Sequence, residues 1–348
     1  MAETVDGVPR IPVGEWIDTA FDWVDDTFGA VLDSVSDAIA STVGGLADVL
    51  NAPSPLLMVA ILSLLAGLLG TWKLGIGSLA ALTVVVGMDQ WEATMTTLAS
   101  VFFATVLALL IGIPLGICAA RWNAVSRVVR PVMDLMQTMP AFVWLVPVVT
   151  LFSIGVPAGL VATVIFALPP GVRLTELGIR QVDAEVVEAG HAFGATPRQI
   201  LRETQLPLAL PTVMAGVNQV IMLALSMAVI AGFVGGGGLG SQVTTSISRL
   251  DVGLGFEAGL SVVVLAVYLD RLTGALGGGA GSGPLARLRR RTLARGSGRG
   301  PAVPATPTGA AQTGAAPTGA AQDAPAASLE KAPTGAGTSE PAATTKGV

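Results

Sequence analysis

The sequence has almost none of the residues that build metal centres and covalent active sites. It contains one cysteine, Cys118, and one histidine, His191, in 348 residues. A single cysteine cannot form an intramolecular disulfide or a thiolate cluster for a metal ion. Because Cys118 lies in an apolar run, we expect it to pack as a small hydrophobe. We therefore expect no metal site, no bound cofactor and no catalytic residue in this chain.

Charge is also scarce. Charged residues make up 12% of the chain and hydrophobic residues 52%, and residues 135–172 and 204–248 carry no charge at all. Uncharged runs longer than about 18 residues predict membrane-spanning helices. The sequence therefore predicts an all-α polytopic membrane protein, and it argues against nucleic-acid binding.

The N-terminal tail, residues 1–53, is acidic and amphipathic. It carries ten acidic residues and one basic residue, Arg10, and its apolar residues recur at helical spacing from Ile17 to Leu50. We expect a helix, broken near Gly44-Gly45, that lies along the membrane or packs on the helical bundle outside the cytoplasm. A partner-binding or sensing arm is the alternative.

Seven membrane spans follow from the apolar runs. The uncharged run at 74–88 would give a helix of only about 22 Å, so it is the weakest of them. After the sixth span, a Gly-, Ser- and Thr-rich connection is expected at 235–253. The predicted spans are about 55–72, 74–88 and 93–120, two within 135–172 separated at Gly155-Val156-Pro157, and about 210–233 and 255–269.

The distribution of basic residues predicts the orientation. With the N-terminus outside, the C-terminus inside and seven spans, 17 of the 19 Lys and Arg residues fall on the cytoplasmic side, leaving Arg10 and Arg249 outside. If 74–88 did not span, the acidic tail would lie inside instead. We therefore expect the N-terminal tail outside the cytoplasm.

The composition changes again from about residue 277. A cluster of arginines at 287–295 is followed by a tail rich in Ala, Pro, Thr and Gly, in which TGAAQ, TGAAP and TGAAQ repeat at 308–322. Such a segment cannot bury a hydrophobic core. We expect residues 277–348 to form a basic and then disordered cytoplasmic tail.

A polar segment separates the two long uncharged runs. Residues 183–211 contain a first helix from Asp183 to Phe193, which is expected to end at Gly194. Thr196 and Pro197 are typical of an N-cap and a first helical position, so a second helix is expected from Arg198 until Pro207. The segment is therefore predicted to form a helix, a tight turn and a helix on the cytoplasmic side.

The spacing within this segment closely resembles the EAA loop of ABC importer permeases, and we call residues 183–211 the coupling loop. The family pattern is Glu-Ala-Ala, three residues, Gly, nine residues, Ile, one residue and Leu-Pro; here Gly190 and Thr204 depart from it. The resemblance implies that two copies of a cytoplasmic ATPase subunit receive this loop. The matching site residues are Glu188, Ala189, Gly190, His191, Gly194, Ala195, Thr196, Pro197, Arg198, Leu206 and Pro207.

Two of these residues carry further expectations. Glu188 is expected to cap the loop or to form a salt bridge, within the loop or with the ATPase. His191 is expected to contact the ATPase from the helix surface, and a pH-sensing role is the alternative.

The resemblance extends over roughly residues 55–275. The stretches QTMPAFVWLVPVVTLFSIG, IFALPPGVRLTELGIRQV and LDRLT look like the permease of glycine betaine/proline betaine importers. This family implies a type I ABC importer fold for a permease domain at 54–276, with a core at about 93–272. It also implies a cell-membrane location, lipid contact, a permease homodimer and an extracytoplasmic substrate-binding protein. The alternatives are a permease for another small solute, such as an amino acid, and a secondary transporter or channel.

A quaternary ammonium substrate is normally held by aromatic faces. Phe142, Trp144 and Phe152 lie in the fourth predicted span, which contains no charged residue, and they are candidates for lining the translocation path. Packing within the fold or against lipid is the alternative for each of them.

Two nucleotide-binding patterns bear on the function. The chain contains no GxxxxGK[ST] loop, so the ATPase implied by the resemblance must be a separate polypeptide. The glycine run at 235–240 fits GxGxxG formally, but it follows a predicted span rather than a strand. We expect it to be a flexible re-entrant or gate-adjacent turn.

Overall fold

The computed structural model of the chain describes residues 4–5, 8–9 and 12–277. A short antiparallel pair joins Thr4–Val5 to Val8–Pro9, and all other regular elements of the described residues are helical. The arginine cluster and the repeat tail predicted beyond residue 277 lie outside the described residues.

Twelve α-helices and two short irregular helices form the part of the chain that the structure describes. Numbered along the chain, the α-helices are α1 Val13–Asn51, α2 Pro55–Leu69, α3 Trp72–Gly87, α4 Trp91–Arg121, α5 Asn123–Thr138, α6 Ala141–Phe152, α7 Val156–Arg180, α8 Ala184–Ala192, α9 Pro197–Gln199, α10 Leu206–Ile230, α11 Gly238–Arg249 and α12 Val252–Gly277. A π-helix spans Ile200–Gln205 and a 3-10 helix spans Ala231–Val234.

The helices confirm a polytopic membrane protein. Four continuous helical segments among the described residues are long and apolar enough to cross a membrane: α4, α7, Pro197–Val234 and α12. The count rises to six if two bent pairs, α1 with α2 and α5 with α6, each form one span. Seven spans with the N-terminus outside stays a prediction.

Helix α1 is continuous, so the break expected at Gly44-Gly45 was wrong. Each helical glycine costs about 1 kcal/mol relative to alanine. Val43 and Ala47, on either side of this pair, are buried in the core of the bundle, and that packing offsets the cost. The helix then turns through 99° into α2.

The fourth predicted span is interrupted at an unexpected point. The chain leaves the helix at Met139, whose ψ of 134° is extended, and α6 starts directly after Pro140. A proline disfavours the α region for the residue before it, and Met139 adopts the extended alternative at the break. Helices α5 and α6 meet at 102°. The break expected at Gly155-Val156-Pro157 was correct, since α7 starts at Val156.

Helix α7 lies at the centre, packed closely on α4 and α10. A Cβ added to Gly116 of α4 would lie 2.6 Å from the Val172 carbonyl oxygen of α7. On the other side, a Cβ on Gly178 would lie 3.2 Å from the Ala209 carbonyl oxygen of α10. Small residues at such positions let helix backbones approach closely in membranes. The three helices therefore form one tightly packed unit.

The glycine run at 235–240 is a turn packed against α4, and its role as a flexible re-entrant or gate-adjacent turn stays a prediction. The Leu239 N–H donates to Thr97 Oγ1 of α4 at 2.8 Å. Gly238 has φ +61°, and a Cβ there would lie 2.3 Å from the same hydroxyl oxygen. The connection predicted at 235–253 also contains α11, which follows this turn.

Candidate functional site: the coupling loop

The first arm of the coupling loop, α8, is closed by local hydrogen bonds at both ends. The Asp183 carboxylate accepts from the Glu185 N–H at 2.9 Å and caps the start of the helix. At the other end the Gly194 N–H donates to the His191 carbonyl at 2.9 Å, and Gly194 has φ +80°. That left-handed conformation is readily adopted by glycine, which accounts for Gly194 at the turn.

The second arm starts with the predicted capping box. The Thr196 N–H donates to Gln199 Oε1 at 2.9 Å, and the Gln199 N–H donates to Thr196 Oγ1 at 3.4 Å. Pro197 occupies the first turn of the helix. The reciprocal bonds satisfy two backbone donors that the helix itself leaves unpaired, and so they fix where the arm begins.

The second arm does not end at Pro207, and that prediction was wrong. The helix passes through Pro207 and Pro211 into α10 without a break. In the π-helical turn before it, the Leu206 N–H donates to the Leu201 carbonyl five residues earlier. This wider turn accommodates a proline that would otherwise clash with the carbonyl four residues back. The arm and α10 form one rod, Pro197–Val234, about 57 Å long.

The two arms contact each other through Gly190. A Cβ added at this position would lie 3.2 Å from Cγ1 of Ile200, which is buried at the start of the π-helical turn. The sequence departs from the family pattern here, with glycine in place of alanine, and the glycine allows α8 to approach the rod. A cavity of about 280 Å³ lies where α8 and the rod meet the ends of α4 and α7, and Arg121, Arg180, His191 and Gln205 contribute its polar lining.

The outer surface of the loop carries one feature that was not predicted from the sequence. Phe193 is 92% exposed, the highest value of any large hydrophobic side chain described. Aromatic side chains are enriched among the residues that dominate the binding energy of protein interfaces, so Phe193 is a candidate contact for a partner. The sequence signal was available, because Phe193 is a large apolar residue directly before the turn glycine.

The remaining predicted loop residues lie around Phe193. Glu188, His191 and Arg198 are exposed or half-exposed. Within the described part of the chain Glu188 forms no ion pair, and the capping carboxylate of α8 belongs to Asp183. The structure therefore brings the predicted charged residues to one exposed loop, and their contacts with a partner stay predictions.

The three aromatic residues predicted for the translocation path do not form one site. The Phe142 ring lies 5.4 Å from that of Phe233, centroid to centroid, and both are about half exposed. The Trp144 indole N–H donates to the Met136 carbonyl at 3.2 Å, and Phe152 packs into a separate part of the core. Of the three, Phe142 has its ring exposed beside a second aromatic ring.

An exposed helical loop lies between two apolar helical segments long enough to cross a membrane, α7 and the rod, and this arrangement defines a membrane protein with a polar helical loop between two spans. Residues 112–278 match the family described as the binding-protein-dependent transport system inner membrane component. The chain belongs to this family, and it is the permease subunit of an ABC importer.

Three curated relatives cover most of the chain. A glycine betaine transport system permease protein, OpuAB of Bacillus subtilis, is 44% identical over 77% of this chain and 95% of the relative. The glycine betaine/proline betaine transport system permease protein ProW of Escherichia coli is 46% identical over 77% of this chain and 75% of the relative. The glycine betaine/carnitine transport permease protein GbuB of Listeria monocytogenes is 44% identical over 76% of this chain and 95% of the relative.

These similarities confirm the family resemblance predicted from the sequence. The chain is a multi-pass protein of the inner membrane, and ATP hydrolysis belongs to a separate subunit. An ATPase and a substrate-binding protein are partners of this family in general.

Proposed function

We propose that this chain is the permease of an ATP-driven importer for betaine-type quaternary ammonium solutes. The observation that carries the proposal is the coupling loop, in which the exposed Phe193 at the end of α8 directly precedes the turn that leads into the rod. The similarity to permeases named for glycine betaine, proline betaine and carnitine supports the substrate class. No residue of this chain performs catalysis or binds a cofactor in the proposed cycle.

The geometry of the coupling loop suits the transmission of movement from the ATPase to the membrane helices. Two cytoplasmic ATPase subunits each receive one coupling loop from a permease homodimer, and ATP binding draws the two loops together. Because α7 and α10 are packed closely through Gly178, the displacement reaches both helices as one unit. A ligand that favours one arrangement of such a bistable element shifts the permease from inward- to outward-facing. A binding protein delivers the solute on the opposite side.

The orientation in this proposal has the N-terminus outside, the C-terminus inside and seven spans of a type I importer fold. It places 17 of 19 basic residues, and the coupling loop, on the cytoplasmic side where ATP is available. The exposed apolar surfaces of the spans, among them Phe102 and Leu110 on α4, would face lipid.

Reconstitution tests the proposal. Proteoliposomes holding the permease, its ATPase and its binding protein are expected to accumulate labelled glycine betaine only when ATP is present, with excess proline betaine competing and excess amino acids not competing. Vesicles with the permease alone, under an imposed sodium or proton gradient, are the control. Gradient-driven uptake without the ATPase would instead make the chain a secondary transporter, and competition by amino acids would change the substrate class.

Phe142 and Phe233 are expected to contact the ammonium group during transport. A cation–π contact contributes about 0.5–2 kcal/mol, so Phe142→Leu or Phe233→Leu should raise the substrate concentration for half-maximal uptake about 2- to 30-fold. The matched control is Phe102→Leu, because Phe102 forms a similar edge-to-face pair with Phe103 on α4 and is also about half exposed. Equal effects in all three variants would contradict the assignment.

A further inference from the structure

A carboxylate is buried where α7 leads into the coupling loop. Glu176 is only 3% exposed. It accepts from Ser126 Oγ at 2.7 Å and from Arg130 Nη2 at 2.9 Å, both on α5, and Arg180 Nε lies 2.9 Å away on α7 itself. A buried charge is tolerated only when such partners replace the lost water, and three side chains do so here.

Arg180 extends this cluster to α4. It is the last residue of α7, and its Nη2 donates to the Ala119 carbonyl at 2.8 Å and to Asn123 Oδ1 at 2.9 Å. Ala119 lies in the last turn of α4, where carbonyls have no partner within the helix. The end of α7 is therefore fastened to both α4 and α5 immediately before the coupling loop begins.

Helix α5 is in turn hydrogen-bonded to α6. The two helices bend through 102° at Met139–Pro140. The Trp144 indole N–H of α6 reaches back across this bend to the Met136 carbonyl of α5. A movement of α5 is thus carried to α6, which holds Phe142. The contacts form a continuous series from Arg180 at the end of α7, just before the coupling loop, through Glu176 and α5 to α6 and Phe142.

We propose that Glu176 is a positioning residue that ties the coupling loop to α5, so that displacement of the loop moves α5 and α6 together. The inference rests on the proposed function, since it presumes that the loop is driven by an ATPase. Glu176 contacts no substrate or nucleotide in this role. It converts a movement at the end of α7 into a movement of the helix pair beside Phe233.

The test compares solute moved with ATP hydrolysed. In the complete reconstituted complex, Glu176→Gln keeps the shape of the side chain but removes its charge. ATP hydrolysis should continue, while glycine betaine transported per ATP should fall at least about tenfold, within the range of coupling between distant sites. A role confined to folding would lower the amount of assembled complex and leave this ratio unchanged. Glu176→Asp, which keeps the charge, should restore part of the ratio.

The structure offers a matched control on the same two helices. Arg173 of α7 forms an ion pair with Asp134 of α5, but the Asp134 side chain is 63% exposed. Exposed pairs contribute little, so Asp134→Asn should keep the wild-type ratio. If Glu176→Gln fails to assemble, the double variant Ser126→Ala/Arg130→Gln replaces it, because it removes both side-chain contacts of the carboxylate with α5 and leaves Arg180 on it.

The outcomes separate this inference from the proposed function. A wild-type complex without ATP-driven uptake contradicts the proposed function. If the wild type transports, a wild-type ratio in Glu176→Gln, or in Ser126→Ala/Arg130→Gln where it stands in, overturns the positioning role. An equal loss of the ratio in Asp134→Asn overturns it too, because any contact between α5 and α7 would then serve. The positioning role is supported if the ratio of betaine transported to ATP hydrolysed falls in the variant of the Glu176 cluster and stays at the wild-type value in Asp134→Asn.

Discussion

Replacing Phe193 with alanine is expected to remove most ATP-driven uptake while the membrane fold stays intact. The side chain is 92% exposed, so its removal leaves no cavity in the protein. Aromatic anchors at interface centres contribute about 2–4 kcal/mol, which corresponds to a loss of ATPase affinity of about 30- to 1,000-fold. The affinity of the purified ATPase for the permease in nanodiscs measures this directly.

Phe256→Ala is the matched control for that measurement. Phe256 is also largely exposed, at 71%, but it lies near the start of α12, outside the coupling loop. This variant should bind the ATPase like the wild type. If Phe193→Ala binds the ATPase with unchanged affinity, Phe193 is not the anchor. If both variants lose affinity equally, the effect is not specific to the coupling loop.

Gly232→Ala is expected to destabilise the permease strongly. A Cβ at Gly232 would lie 2.1 Å from the carbonyl carbon of Gly240, and this neighbour is backbone that cannot rotate away. The 3-10 helix after α10 and the start of α11 would have to separate. Overpacking typically costs about 1–3 kcal/mol, and a backbone clash of this kind belongs at or above the upper end. The thermal unfolding midpoint of the purified protein should fall by several degrees.

The control for Gly232 is Gly259→Ala on α12. Outside its own helical backbone, no atom of the described residues lies within 4 Å of a Cβ added at Gly259, so the methyl group has room. Alanine also favours a helix over glycine, and the midpoint should therefore stay the same or rise slightly. A wild-type midpoint for Gly232→Ala would contradict the tight packing of the 235–240 turn.

Local sequence signals were enough for much of the coupling loop. Thr196, Pro197 and Gln199 specify a helix start through bonds within three residues, and Gly194 specifies the turn before it. These contacts need no tertiary partner, so the sequence predicts them well. Phe193 was missed because the prediction followed the polar residues of the loop rather than its one large apolar side chain.

Prolines account for the main errors in the predicted helices. A helix break lies at Pro140, between α5 and α6, whereas Pro207 and Pro211 lie within a continuous helix. The difference at Pro207 depends on the preceding π-helical turn, a feature of the folded helix rather than of residue type. In membrane proteins such local adjustments and neighbouring helices satisfy the backbone groups that a proline leaves unpaired. Sequence alone therefore marks where a break is possible, but not which proline causes one.

The most direct test of the coupling loop is photo-cross-linking from position 193 in the assembled complex. With benzoylphenylalanine in place of Phe193, illumination should link the permease to the ATPase subunit, and ATP should change the yield. The same probe at Phe256 should give no link to the ATPase. Absence of a cross-link from position 193, in a complex that still hydrolyses ATP and transports betaine, would contradict the proposal that this loop receives the ATPase.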